Sequence, residues 1–169
     1  MSVKKLFVSR RGATTFHCFL LILFPYSSAL KKVILIDDDA DEIDLMREAI
    51  VQFYGPVECF CFNDPEEALK SILTGIANPP DVIFIDINMP KLTGDMCLQV
   101  LRKELRLETV VIAMMSTTME PENTLFLIRK GADFAFKKPY ETEGYRQVVS
   151  TVLSFDKSSC PDKPGSFFE

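Results

Sequence analysis

A chain of 169 residues that is 47% hydrophobic has apolar mass for one core, as one domain or one domain with extensions. Its formal charge is −5, yet residues 1–30 hold Lys4, Lys5, Arg10 and Arg11 and no acid, which leaves −9 on residues 31–169. A body this acidic is a poor match for nucleic acid and suits a protein that binds divalent cations or basic partner surfaces.

The N-terminal residues 1–30 form an extension. An apolar run from Phe16 to Phe24 follows the basic residues, and Ser27-Ser28-Ala29 resembles a cleavage site. The run is shorter than the roughly 20 residues that a spanning helix needs, so stable membrane insertion is not expected. A signal or anchor, a start placed too far upstream and a disordered extension all fit. The misplaced start is preferred, because Lys31-Lys32-Val33 opens a cytoplasmic-type domain well without a leader.

From Lys31 to about residue 154 the chain alternates strands with helices. Val33–Ile36 reads as a strand, and Asp39 or Asp41 can cap the helix in which Ile43, Met46, Ile50 and Phe53 recur. Val57–Phe62 is the second strand, and Pro65 suits the first position of the next helix. Cys59 and Cys61 fall on one face of that strand and read as small apolar core residues. No cysteine spacing suggests zinc, and a single histidine, His17, argues against histidine-based chemistry.

Asn78-Pro79-Pro80 precedes a run of four apolar residues, Val82–Ile85, that ends in Asp86. Such a run is a strand buried on both faces. A helix is expected around Asp95–Lys103, a fourth strand at Val110–Met115 and a helix at Pro121–Lys130 closed by Gly131. Phe134–Phe136 is a short fifth strand, and Glu141–Leu153 a last helix. Residues 155–169, rich in Pro and Ser, read as a flexible tail. Five strand–helix repeats predict a doubly wound α/β domain on a five-stranded parallel sheet.

Right-handed crossovers bring all strand C-termini to one edge. Asp37, Asp38 and Asp39, then Asp86, then Ser116, Thr117 and Thr118, then Lys137 and Lys138 gather there. Carboxylates converging without counter-charge repel, and a hard cation with oxygen ligands such as Mg²⁺ relieves that repulsion. A metal-held carboxylate beside a lysine and a hydroxyl is arranged to accept a phosphoryl group.

These residues resemble the receiver domain of bacterial two-component response regulators. Five signatures carry the resemblance between Lys31 and Leu153: the acidic pair Asp37 and Asp38; Asp86; Met89-Pro90-x-x-x-Gly94; Ser116; and Lys138-Pro139 after Gly131-Ala132-Asp133. The resemblance implies a flavodoxin-like three-layer αβα sandwich. It also implies a phosphoacceptor at Asp86, with Ser116 and Lys138 assisting. Mg²⁺ would be held by Asp38, Asp86 and the backbone carbonyl of Asn88, with Asp37 acting through the ion's water shell. The donor would be a sensor histidine kinase or a histidine phosphotransfer protein. Output is expected by protein–protein contact or phosphorelay, with no further domain and an unidentified partner.

Two alternatives also fit the sequence. A pseudo-receiver would bind without accepting phosphate, although it usually lacks one of the acidic or lysine positions kept here. A haloacid-dehalogenase-type phosphatase would use Asp37 and Asp39, but Asp41-Glu42 stands where such enzymes have Gly-Thr. The chain also departs from the receiver pattern. Ala135 replaces the usual switching aromatic, and Phe134 and Phe136 alternate to the opposite face. Thr117 is bulkier than the usual alanine or glycine and is expected to narrow access to the phosphoryl group.

Overall fold

The computed structural model describes residues 31–74 and 79–157. The expectations for residues 1–30 and for the tail from 158 onward lie outside the described residues. So do His17, Cys18 and Cys160.

Among the described residues, five strands alternate with five helices. The strands are β1 (Lys32–Ile36), β2 (Glu58–Phe62), β3 (Val82–Asp86), β4 (Val111–Ser116) and β5 (Phe134–Lys137). The helices are α1 (Ala40–Phe53), α2 (Pro65–Thr74), α3 (Gly94–Arg102), α4 (Pro121–Arg129) and α5 (Thr142–Ser154). A 3₁₀ turn at Leu105–Leu107, not foreseen from the sequence, links α3 to β4. All pairings are parallel, in the order β2-β1-β3-β4-β5. This is the doubly wound sheet that the alternation predicted.

Alternation along the strands divides the core between two faces. Val33, Leu35, Val82, Phe84, Phe134 and Phe136 pack under α1 and α5. Ile34, Ile36, Ile83, Ile85, Ile112 and Met114 pack under α2, α3 and α4. β3 is buried at all five positions because it lies in the middle of the sheet with helices on both faces. None of the described helices is long and apolar enough to cross a membrane.

Two local expectations meet different outcomes. Gly131 follows α4 with φ of 110°, a left-handed conformation suited to glycine at the end of a helix. The cysteines of β2 need correction. Cys59 is only half-buried and Cys61 is exposed, whereas Cys97 is buried. β2 is an edge strand, and α1 covers its face only in part.

The expected tail begins packed rather than free. Phe155 meets the Phe134 ring edge-on at 5.2 Å, and Lys157 Nζ lies 2.9 Å from Asp133 Oδ1.

Candidate functional site

β1 and β3 are neighbours, and the chain leads from β1 to β2 on one side and from β3 to β4 on the other, so the strand order reverses between them. Open α/β sheets form their ligand crevice at such a switch point. Asp37 follows β1 there, with its N–H donated to the Phe62 carbonyl at 3.1 Å. Asp86 ends β3, Ser116 ends β4 and Lys138 follows β5. Asp37, Asp38 and Asp86 each present a carboxylate oxygen within 4.8 Å of the others. Asp38 is exposed, Asp37 is half-buried and Asp86 is 5% exposed.

Lys138 occupies the centre. Its Nζ lies 2.9 Å from Asp86 Oδ1 and donates to Asp37 Oδ2 at 2.7 Å, with Glu42 Oε2 at 4.0 Å. Burial works against the lysine's charge, but the hydrogen bonds and charges of Asp37 and Asp86 hold its pKa above the ordinary value. Burial also pushes the Asp37 carboxyl up, with Lys138 pulling the other way. A buried carboxylate is costly unless it is paired, and Lys138 is the pair for Asp86.

The remaining oxygens of the site are held by backbone N–H groups and by the Asn88 side chain. Asp86 Oδ2 accepts the Asn88 N–H at 2.8 Å. Ser116 Oγ is 1% exposed as a residue and accepts from Asn88 Nδ2 at 2.9 Å and from the Thr118 N–H at 3.3 Å. The loop after β3 closes tightly, with the Gly94 N–H donated to the Ile87 carbonyl at 3.0 Å. A Cβ at Gly94 would stand 2.1 Å from the Asp86 carbonyl oxygen, so that approach requires glycine.

The structure therefore brings together Asp37, Asp38, Asp86, Asn88, Ser116 and Lys138. Lys137 is exposed, with its ammonium 5.4 Å from the centre of the Tyr140 ring, as expected for a solvated neighbour. Asp39 caps α1 by accepting the Asp41 N–H at 2.9 Å, so it serves the helix rather than an acid–base pair. Ala135 is half-buried against the α4 side, opposite to Phe134 and Phe136. With no aromatic ring there, an open groove of about 870 Å³ runs past Met119, Leu125, Ala135, Tyr140 and Val148.

Sequence reasoning missed Glu42 and Tyr145. The Tyr145 hydroxyl lies 3.5 Å from Glu42 Oε2. Burial, then the Glu42 charge, push the phenol up to about 12. Glu42 sits three residues beyond the cap Asp39, and that spacing signals a capping box rather than a site.

The model of the response regulator receiver domain matches residues 33–150. The alkaline phosphatase synthesis transcriptional regulatory protein PhoP of Bacillus subtilis is 26% identical over 132 residues, covering 78% of this chain and 52% of PhoP. The protein-glutamate methylesterase/protein-glutamine glutaminase 2 of Vibrio vulnificus is 31% identical over 134 residues, covering 72% of this chain and 36% of that protein. The chain thus spans about half or less of these relatives.

Among solved structures, the chemotaxis response regulator CheY4 of Vibrio cholerae superposes with a TM-score of 0.64 at 26% identity, over 74% of this chain and all of CheY4. The phosphorylated cyanobacterial phytochrome response regulator RcpA gives 0.68 at 24% identity, over 78% of this chain and 97% of RcpA, and speaks to the fold. A doubly wound sheet with acids, a hydroxyl and a lysine at one edge defines a phosphoacceptor-type site. The chain belongs to the response regulator receiver domain family.

Proposed function

We propose that this receiver takes a phosphoryl group onto Asp86 from the phosphohistidine of a sensor histidine kinase or a histidine phosphotransfer protein. The observation that carries this reading is the placement of a buried lysine, Lys138, 2.9 Å from a strand-end carboxylate that neighbouring acids and a hydroxyl surround. An Asp86 carboxylate oxygen attacks phosphorus, and the donor's N–P bond breaks with its electron pair returning to the imidazole. The product is an acyl phosphate on this chain.

Each neighbour has a part in that transfer. Lys138 carries a positive charge that can follow the phosphoryl oxygens as they arrive. Ser116 Oγ already accepts two hydrogen bonds, so its own proton is left to donate to a phosphoryl oxygen. The Asn88 N–H fixes one Asp86 oxygen and leaves the carboxylate oriented.

The cluster also fits Mg²⁺, a hard ion that favours carboxylate and carbonyl oxygens and keeps several waters. Asp38, Asp86 and the Asn88 backbone carbonyl would hold it, with Asp37 acting through its water. When bound, the ion supplies positive charge beside the transferring group.

The chain is then a phosphoacceptor that supports its own phosphorylation and dephosphorylation, not a conventional enzyme. We place this exchange in the cytoplasm, where ATP charges the donor. The new acyl phosphate draws Ser116 and Lys138 toward it and reshapes the surface at the ends of β4 and β5, where an output partner would read it. Acetyl phosphate with Mg²⁺ should add one phosphoryl mass to the intact protein, and chelation should abolish the addition. Asp86→Asn should add none, and phosphorylation of that variant at the wild-type level would overturn the assignment.

A further inference from the structure

A second set of side chains lies away from the acidic pocket. Cys59 and Cys61 stand on the same face of β2, opposite Val33 and Leu35 of β1, with sulfurs 3.9 Å apart. Among the described residues, β2 pairs with β1 alone and is the edge strand of the sheet. Cys61 is exposed, which gives solvent and solutes a way in, and Cys59 is half-buried beside α1.

Two thiols this close can be joined by oxidation or by a cation. Oxidation is disfavoured on two counts. Residues two apart in an extended strand have Cα atoms about 6.6 Å apart, near the upper limit for a disulfide. Burial and the neighbouring thiol also push the Cys59 thiol up to about 12, so the reactive thiolate is scarce at neutral pH. A cation has to displace the same protons, and strong soft metal–sulfur bonds can drive that exchange.

The ligand count narrows which cation. Among the described residues, the one group of three or more His, Cys, Asp and Glu side chains placed to ligate together is Asp37, Asp38 and Asp86. The cysteine pair therefore offers two soft donors without a third such side chain. Zinc in a structural site takes four ligands in a tetrahedron, and this pair would leave half of them to water. Soft thiolates also select monovalent copper, a closed-shell ion that two sulfurs can satisfy.

We propose that Cys59 and Cys61 form a two-sulfur site for a soft monovalent cation of the copper(I) type. On binding, two S–H bonds break, two protons pass to solvent and two sulfur–metal bonds form. No electron is transferred. Arg47, whose charge favours the Cys59 thiolate, offsets part of the negative charge of the loaded site.

The test uses the full chain with Cys18→Ser and Cys160→Ser, Cu(I) kept reduced by ascorbate under argon, and bathocuproine disulfonate as competitor. One equivalent of Cu(I) should stay with the protein. Adding Cys59→Ser or Cys61→Ser should weaken retention by more than the roughly 10–100-fold that loss of an outer partner costs a metal site. Retention unchanged in both serine variants, no retention at all, or equally tight Zn²⁺ would overturn the proposal. A readout without variants guards against misfolding. Cu(I) should protect Cys61 from alkylation by N-ethylmaleimide in the unmodified chain, as read by peptide mass, and unchanged alkylation contradicts the site.

Discussion

Lys138 holds together a site whose acids would otherwise repel each other, and much of its surroundings was legible in the sequence. Asp37, Asp38, Asp86, Ser116 and Lys138 each fall at the end of an apolar run, so strand topology alone gathers them. Glu42 was not legible, because Asp39-x-x-Glu42 reads as a reciprocal helix cap. Instead, Asp37 Oδ1 accepts the Asp39 N–H at 3.1 Å, which frees Glu42 to face Lys138 and Tyr145. Replacing Lys138 by Met leaves Asp86 buried and without its counter-charge, which should cost roughly 3–5 kcal/mol in urea unfolding. Millimolar Mg²⁺ should raise the Tm of Lys138→Met more than that of the wild type, since the ion supplies the missing charge. An equal rise in both proteins would show that lysine and metal do not share the same carboxylates.

At the scale of elements, alternation and helix periodicity predicted every strand and helix, and the ends given for the strands and for α3, α4 and α5 lie within a residue of those observed. The misses arose where tertiary context outweighs pattern. The 3₁₀ turn at Leu105–Leu107 carries no periodic signal, and β2 carries an apolar sequence although it is an edge. The loop from Ile87 to Gly94 shows the opposite case, in which one residue type dictates geometry. It bends α3 back so closely that Gly94 touches the Asp86 carbonyl. Gly94→Ala should therefore cost at least about 2–3 kcal/mol and displace Asp86. Its phosphorylation by acetyl phosphate should slow more than that of a surface control such as Gln99→Ala. Unchanged stability in Gly94→Ala would mean that the loop relaxes freely and does not position Asp86.

Across the whole molecule, chemistry and anchorage occupy opposite edges of the sheet. At the N-terminal edge, Asp133 is 1% exposed and binds Arg102 at 2.6 Å, Lys157 at 2.9 Å and the Ile112 N–H at 2.8 Å. Arg102 adds hydrogen bonds to the carbonyls of Gly131, Leu107 and Val110, which ties α3, β4 and the approach to β5 together. Gly131-Ala132-Asp133 was recognised as a signature in the sequence, but its partners were not, because Arg102 and Lys157 lie 31 and 24 residues away in the chain. With the fold clamped at that edge, the C-terminal edge is left to carry acids that only a lysine or a metal can balance. The proposed acyl phosphate forms there, on Asp86. Borohydride reduces an aspartyl phosphate to homoserine, so treating the phosphorylated chain and mapping its peptides reads the acceptor directly. Homoserine at position 86 is the expected result, and homoserine at Asp37, Asp38 or Asp39 with Asp86 intact would contradict it.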